Sequence, residues 1–121
     1  MWYFAHAVFY YSYVGRSSYI VHENVYLVSE DDEDKAMLRA LKLAAEYEQV
    51  GENSHLEIEG RKAEYRFAGI RKLISVDSDL EDSSEFWGLM GEVTYSVFEV
   101  DHLSDVEALA AGMAVSVNYR E

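Results

Sequence analysis

The sequence predicts an α+β fold in which a mostly antiparallel sheet is packed by one long helix, with a short C-terminal helix and strand. Two aromatic and β-branched segments, residues 2–14 and 19–28, are separated by a GRSS turn and predict a hairpin. Apolar residues recur with helical spacing from residue 32 to about residue 50. Two further extended segments, 64–76 and 91–100, complete the pattern.

The N-terminal segment WYFAHAVFYYSYV is apolar or aromatic at both its even and its odd positions. This composition is typical of a strand that is covered on both faces. Such a strand needs two covers, and the sequence contains one long helix. The second cover is therefore either the short C-terminal helix or a second copy of the chain, and a homodimer is one hypothesis for this protein.

The predicted helix begins at Asp32, whose carboxylate suits an N-cap, while Glu33 and Asp34 occupy the first turn, where the helix dipole favours negative charge. Gly51 supplies the stop, because glycine readily adopts the positive φ that follows a helix. One stripe of the helix is apolar and should pack on the sheet. The expected contacts join Leu38, Leu41, Ala44 and Ala45 to strand residues such as Phe67, Val93 and Val97.

The remaining elements follow in order. The segment EYRFAGIRKLISV (64–76) predicts a long strand in which Gly69 marks a bulge or a close-packing site. GEVTYSVFEV (91–100) alternates as a half-buried strand does, LSDVEALAAGM (103–113) predicts a short helix, and AVSVNY (114–119) predicts a last strand. No linker interrupts the chain, so residues 1–121 are expected to form a single domain.

The chain is strongly acidic, with 23 Asp and Glu against 10 Lys and Arg and a formal net charge of −13. Such a field repels phosphates, so we expect neither direct nucleic-acid binding nor membrane attachment. Two interpretations of the acidity remain open. It serves solubility or salt adaptation alone, or it complements a basic protein partner.

Sequence motifs for chemistry are few. The chain has no cysteine, which excludes disulfides, thiol nucleophiles and cysteine metal sites. The loop DSDLEDSSE (77–85) spaces three acids like an EF-hand, but Asp82 and Gly88 stand where that loop needs Gly and Glu. We therefore predict no catalytic residue, no cofactor and no metal. A signal peptide and a membrane-length apolar run are also lacking, which predicts a cytoplasmic location.

Several segments together resemble a bacterial family of small proteins, DUF4288, a domain of unknown function. They are an N-terminal WY, ENVYLV followed by DDEDKAMLRALKLA, YRFAGIRKL and GEVTYSVFEV, which span about residues 2–100. The stretch SSEFWGLM (83–90) is enlarged relative to the family, and residues 101–121 do not match it and read as a C-terminal extension of the same domain. The resemblance implies an α+β fold and no assigned chemistry.

These observations predict a small, acidic, non-enzymatic protein-binding domain, an inhibitor or immunity-type protein that neutralises a basic partner such as a nuclease toxin. The alternative is a small enzyme or a small-ligand-binding domain with a pocket on the sheet. Two acidic clusters, residues 30–34 and the acids within 77–85, each follow a predicted strand. If those two strands run in the same direction, both clusters lie at one end of the molecule and their fields add. The predicted partner-binding residues are Glu30, Asp31, Glu33, Asp34, Asp77, Asp79, Glu81, Asp82, Tyr11 and Tyr13.

Overall fold

The computed structural model describes residues 1–13, 15, 17–51, 54–76 and 91–119, without the side chains of 91–93. The predicted site residues Asp77, Asp79, Glu81 and Asp82 lie outside the described residues. The elements in chain order are β1 (Trp2–Ser12), β2 (Tyr19–Ser29), α1 (Glu33–Glu46), β3 (Leu56–Ile58), β4 (Arg61–Ser75), β5 (Gly91–Val100), α2 (Leu103–Ala110) and β6 (Asn118–Tyr119).

The described strands form one six-stranded sheet in the order β3-β4-β1-β2-β5-β6, and every neighbouring pair is antiparallel. The predicted α+β class and antiparallel pairing are confirmed. Because β1 is antiparallel to both β2 and β4, those two strands run in the same direction on either side of it. Trp2 pairs with Ser29 and Tyr3 with Ser75, so β2 and β4 end at the same end of the sheet.

Some element bounds differ from the prediction. The helix α1 has 14 residues and ends at Glu46, short of the expected residue 50. The strand β3 was not predicted; it pairs with the start of β4 through a two-residue turn in which Glu59 and Gly60 both have positive φ, 54° and 76°. Such a turn twists in the sense that a hairpin requires, although Glu is an unusual residue there. Residues 114–117 are irregular, and only Asn118–Tyr119 pairs with β5.

The helix α1 packs on one face of β1, β2 and β4 through small side chains. Its buried residues are Ala36, Ala40 and Ala44, spaced four apart on one stripe. Of the four expected contact residues only Ala44 is buried; Leu38, Leu41 and Ala45 are exposed, Leu38 to 68%. The expectation is confirmed for Ala44 and wrong for the other three, because the sheet face already carries the large buried rings of Phe9, Tyr26 and Tyr65, and a stripe of alanines lets the helix approach them.

The helix α2 covers the opposite face. Val106 and Leu109 pack there against Val8, Val21 and Phe98. Gly69 lies beside the irregular register between Val8 and Phe9, and a Cβ at that position would stand 3.2 Å from the Cβ of Ala110. The interpretation of Gly69 as a bulge and close-packing site is therefore confirmed. Because α2 covers the second face of β1, a second copy of the chain is not needed to bury this strand. The homodimer stays a prediction.

Candidate functional site

The acidic residues 30–34, here called the acidic end, lie where β2 meets α1. The backbone N–H of Glu30 donates to the Met1 carbonyl at 3.0 Å, and that of Val76 donates to the Trp2 carbonyl at 2.8 Å. These two bonds fix the exits of β2 and β4 on either side of the start of β1. The chain therefore enters the predicted second acidic cluster, residues 77–85, from the same end of the sheet as residues 30–34.

Several acids of this end have local structural roles. Asp32 is the N-cap of α1, as predicted, and its Oδ1 accepts from the Lys35 backbone N–H at 2.8 Å. Asp31 lies 3.5 Å from the Lys35 ammonium, and Glu30 lies 3.2 Å from the Arg39 guanidinium. Such exposed pairs contribute little to stability, typically about 0.2–1 kcal/mol.

Glu33 and Asp34 occupy the first turn of α1, as predicted, and both are exposed. Within the described part of the chain no ion pair joins either carboxylate to a cation. Of the four predicted partner-binding acids that the structure describes, these two therefore carry the least compensated negative charge.

The two predicted tyrosines lie elsewhere. Tyr11 lies near the far end of β1 and Tyr13 follows that strand, whereas Trp2 begins it at the acidic end. At about 3.3 Å per strand residue, they are some 25–35 Å from the acidic end. Tyr13 borders an open depression of about 560 Å³ with Ser12, Gly51, Lys62 and Glu64. The structure thus separates the tyrosines from the acidic residues with which the sequence grouped them.

A second candidate site lies on the α1 face of the sheet, beyond the C-terminal end of that helix. We call it the sheet recess; it measures about 360 Å³ and its described lining residues are His22, Asn24, Tyr65, Tyr95 and Val97. Its position follows from the register. Asn24 pairs with Tyr95 and His22 with Val97 across β2 and β5, so these side chains share one face.

The Tyr65 ring closes the other side of the recess. It stacks on the buried Phe9 ring at 4.8 Å with an interplanar angle of 3°, and it contacts Tyr11 at 4.9 Å. From β4 it spans β1 and reaches β2, where its hydroxyl lies 3.1 Å from Asn24 Nδ2 and 3.4 Å from His22 Nδ1. The recess therefore has aromatic walls and a short hydrogen-bonded chain at its base.

Asn24 is the centre of that chain. Its Nδ2 donates to the hydroxyls of Tyr26 and Tyr65 at 3.3 and 3.1 Å, and the side chain is 6% exposed. Its Oδ1 is buried and has no hydrogen-bond partner among the described residues. A buried acceptor without a donor typically costs about 1–3 kcal/mol.

Burial favours the uncharged forms of His22 and Tyr11 beside the recess. It lowers the pKa of His22, because it disfavours the imidazolium form. It also raises the pKa of Tyr11, because it disfavours the phenolate. Near neutral pH the His22 ring is therefore uncharged, and in the tautomer protonated at Nε2 its Nδ1 can accept a hydrogen bond that the Tyr65 hydroxyl donates.

A polar cluster occupies the opposite face of the sheet. The Glu23 carboxylate lies 3.2 Å from the Arg71 guanidinium and 3.5 Å from His6 Nδ1. Burial lowers the pKa of His6 and is only partly opposed by Glu23. A cavity of about 290 Å³ beside Glu23 and Arg71 is also lined by residues of the segment 113–119. One carboxylate oxygen of Glu23 pairs with the Arg71 guanidinium and the other lies beside the His6 ring, so Glu23 and Arg71 form an internal ion pair beside the C-terminal segment.

Sequence reasoning did not find the sheet recess. One local signal was available, since His22 and Asn24 are polar residues at alternate positions of a mostly apolar strand and so share a face. The contribution of Tyr65 depends on a ring reaching across β1 from a strand more than forty residues away. No sequence periodicity reports such a contact.

No group of three or more His, Asp or Glu side chains in the described part of the chain is arranged to hold a metal ion. Neither α1 nor α2 is both long enough and apolar enough to cross a membrane.

The fold and these two surfaces define an antiparallel α+β domain with an acidic end and an aromatic recess. Its family follows from comparison with known sequences: the model of DUF4288, a domain of unknown function, matches residues 2–87. The chain belongs to this family, as its resemblance predicted. The match covers β1 to β4, while β5, α2 and β6 follow it. Neither the curated proteins nor the solved structures gave a match.

Proposed function

We propose that this chain is a non-enzymatic binding domain that recognises a basic protein partner, in the manner of an inhibitor or immunity-type protein. The sheet topology is the observation that supports this function best. Because β2 and β4 run in the same direction beside β1, the acidic residues 30–34 and the exit toward residues 77–85 share one end of the sheet. Charges concentrated at one end produce a directed field, whereas evenly scattered charges serve solubility alone.

Charge and exposure at the acidic end fit this role. Glu33 and Asp34 are exposed, and the chain carries a formal charge of −13. Lys35 and Arg39 offset part of the local charge through their pairs with Asp31 and Glu30. Complementary fields mainly accelerate association and select partners, so a basic partner is expected to bind in a salt-dependent way.

The proposed function is tested by capture followed by comparison of variants. The full chain is used as bait in a lysate of its source organism at low and at moderate salt. The affinity of a captured protein is then measured for wild type, for Glu33→Gln/Asp34→Asn and for Glu46→Lys. Both variants raise the net charge by two, but Glu46 lies in the last turn of α1, about 20 Å along the helix from the acidic end.

We expect the double variant to bind the partner several-fold more weakly at low salt and Glu46→Lys to bind nearly as wild type. Equal weakening by both variants would mean that only total charge matters. A partner indifferent to salt and to both variants would contradict the proposal.

A further inference from the structure

The sheet recess offers a ligand acceptor atoms and aromatic faces. Its described lining contains the rings of His22, Tyr65 and Tyr95, the Asn24 amide and one apolar residue, Val97. No Lys or Arg is among these lining residues. His22 and Tyr95 lie nearly parallel at 6.1 Å, with an interplanar angle of 29°, so their faces can border a flat group together.

The unpartnered Asn24 Oδ1 indicates what kind of group the recess lacks. The amide donates both of its described hydrogen bonds to tyrosine hydroxyls, which leaves its acceptor without a donor. The atom is shielded from solvent. Its cross-strand neighbour Tyr95 is 61% exposed, contacts His22 and lines the recess together with Asn24.

Charge narrows the class of ligand further. A chain of formal charge −13 disfavours an anion, and a neutral His22 near pH 7 does not repel a cation. Aromatic faces attract cations through the ring quadrupole, and the planar guanidinium stacks on them better than an ammonium does. A flat cation rich in N–H donors therefore complements both the walls and the base of the recess.

We propose that the sheet recess binds the guanidinium group of an arginine side chain presented by a protein partner. The source of the arginine rests on the proposed function, since a basic partner supplies such side chains. The guanidinium lies against the rings of His22 and Tyr95 and donates to Asn24 Oδ1. The recess then contributes a specific anchor, which the long-range attraction of the acidic end cannot provide.

The test uses short capped peptides with one central residue between glycines. That residue is arginine, citrulline or lysine, and N-methylguanidine serves as the free small-molecule probe. Citrulline keeps the planar shape without the charge, and lysine keeps the charge without the plane. Binding to the full chain is followed by the NMR shifts of the His22, Asn24 and Tyr95 side chains.

We expect the arginine peptide to shift these three signals and to bind at least about fivefold more tightly than the citrulline and lysine peptides. Tyr95→Leu removes the ring face but keeps an apolar wall, and should weaken the arginine peptide about five- to tenfold. The matched control is Tyr119→Leu, because Tyr119 is 78% exposed and contacts Phe98 on the other face of the sheet. That variant should bind as wild type.

Four results would overturn the inference. Equal binding of the citrulline peptide would assign the recess to a neutral flat group, and equal binding of the lysine peptide would remove the requirement for a plane. Binding of N-methylguanidine as tight as that of the arginine peptide would assign the recess to a small molecule. A captured partner that responds to Glu33→Gln/Asp34→Asn but not to Tyr95→Leu would leave the proposed function standing and refute the arginine site alone.

Discussion

At the scale of single residues, His22 links the recess to pH. Burial places its pKa below the ordinary 6.5, so the unfolded chain takes up a proton at a higher pH than the folded chain does. Between these two pKa values the unfolded state binds more protons. The contribution of His22 to the free energy of unfolding is therefore fully present above about pH 6.5, and it is lost as the pH falls from there through the pKa of the folded state.

Replacing His22 with Gln, a neutral side chain that does not titrate, should reduce this loss of stability on acidification. Urea denaturation of wild type and variant at about pH 7.5 and about pH 5 measures it. The variant should lose less of its unfolding free energy between the two pH values. An identical loss in both proteins would show that His22 does not contribute to the acid sensitivity.

Asp32 provides a second residue-scale prediction, because it caps α1 through its bond to the Lys35 backbone N–H. Asp32→Ala should lower the free energy of unfolding by about 0.5–2 kcal/mol, whereas Asp32→Asn keeps a capping oxygen and should cost less. Chemical denaturation measures both values. If the two substitutions are equally costly, the charge of Asp32 matters more than its capping bond.

At the scale of elements, α1 illustrates where sequence reasoning succeeded and failed. The cap, the acidic first turn and the helical state were predictable because capping and periodicity are local properties. The packed stripe was not, because hydrophobicity favoured Leu38 and Leu41 over the alanines beside them. What decided the orientation was the bulk of the rings at Phe9, Tyr26 and Tyr65, which lie far away in sequence.

The alanine stripe makes a prediction for paired substitutions on α1. Ala40→Leu inserts a large side chain where Ala40 is fully buried and should cost about 1–3 kcal/mol by overpacking. Leu38→Ala removes a large side chain that is 68% exposed and should change stability by no more than about 0.5 kcal/mol. Thermal and urea denaturation test both. If Leu38→Ala cost more than Ala40→Leu, the result would support the sequence-based expectation that Leu38 packs on the sheet.

Other elements show the same division between local and distant causes. The strand at 91–100 has the bounds that its alternation predicted. The strand β3 was missed because three residues carry too little periodicity and its turn contains Glu59 at positive φ. The recess was missed for another reason, since it joins Tyr65, His22 and Tyr95 from three strands whose order no local pattern encodes.

At the scale of the whole molecule, the shared direction of β2 and β4 connects the acidic composition with the proposed function, because it decides at which end of the sheet these strands end. A net charge of −13 is compatible with simple solubility, but acidic residues 30–34 lie at one end of the sheet, and we propose that their field steers a basic partner toward that end. The acidic end and the sheet recess lie about 20–25 Å apart along β2, a span that one partner of ordinary interface size can cover. We therefore propose that the acidic end accelerates the encounter with the partner and that the recess anchors it.

The most direct test of this account is the association rate constant of the captured partner as a function of ionic strength. For wild type the rate should fall steeply as salt rises, because exposed charges are screened over about 10 Å at 0.1 M salt. For Glu33→Gln/Asp34→Asn it should start lower and fall less steeply, with a nearly unchanged dissociation rate. An association rate that is the same for both proteins and flat in salt would contradict the central claim that the acidic end steers a basic partner.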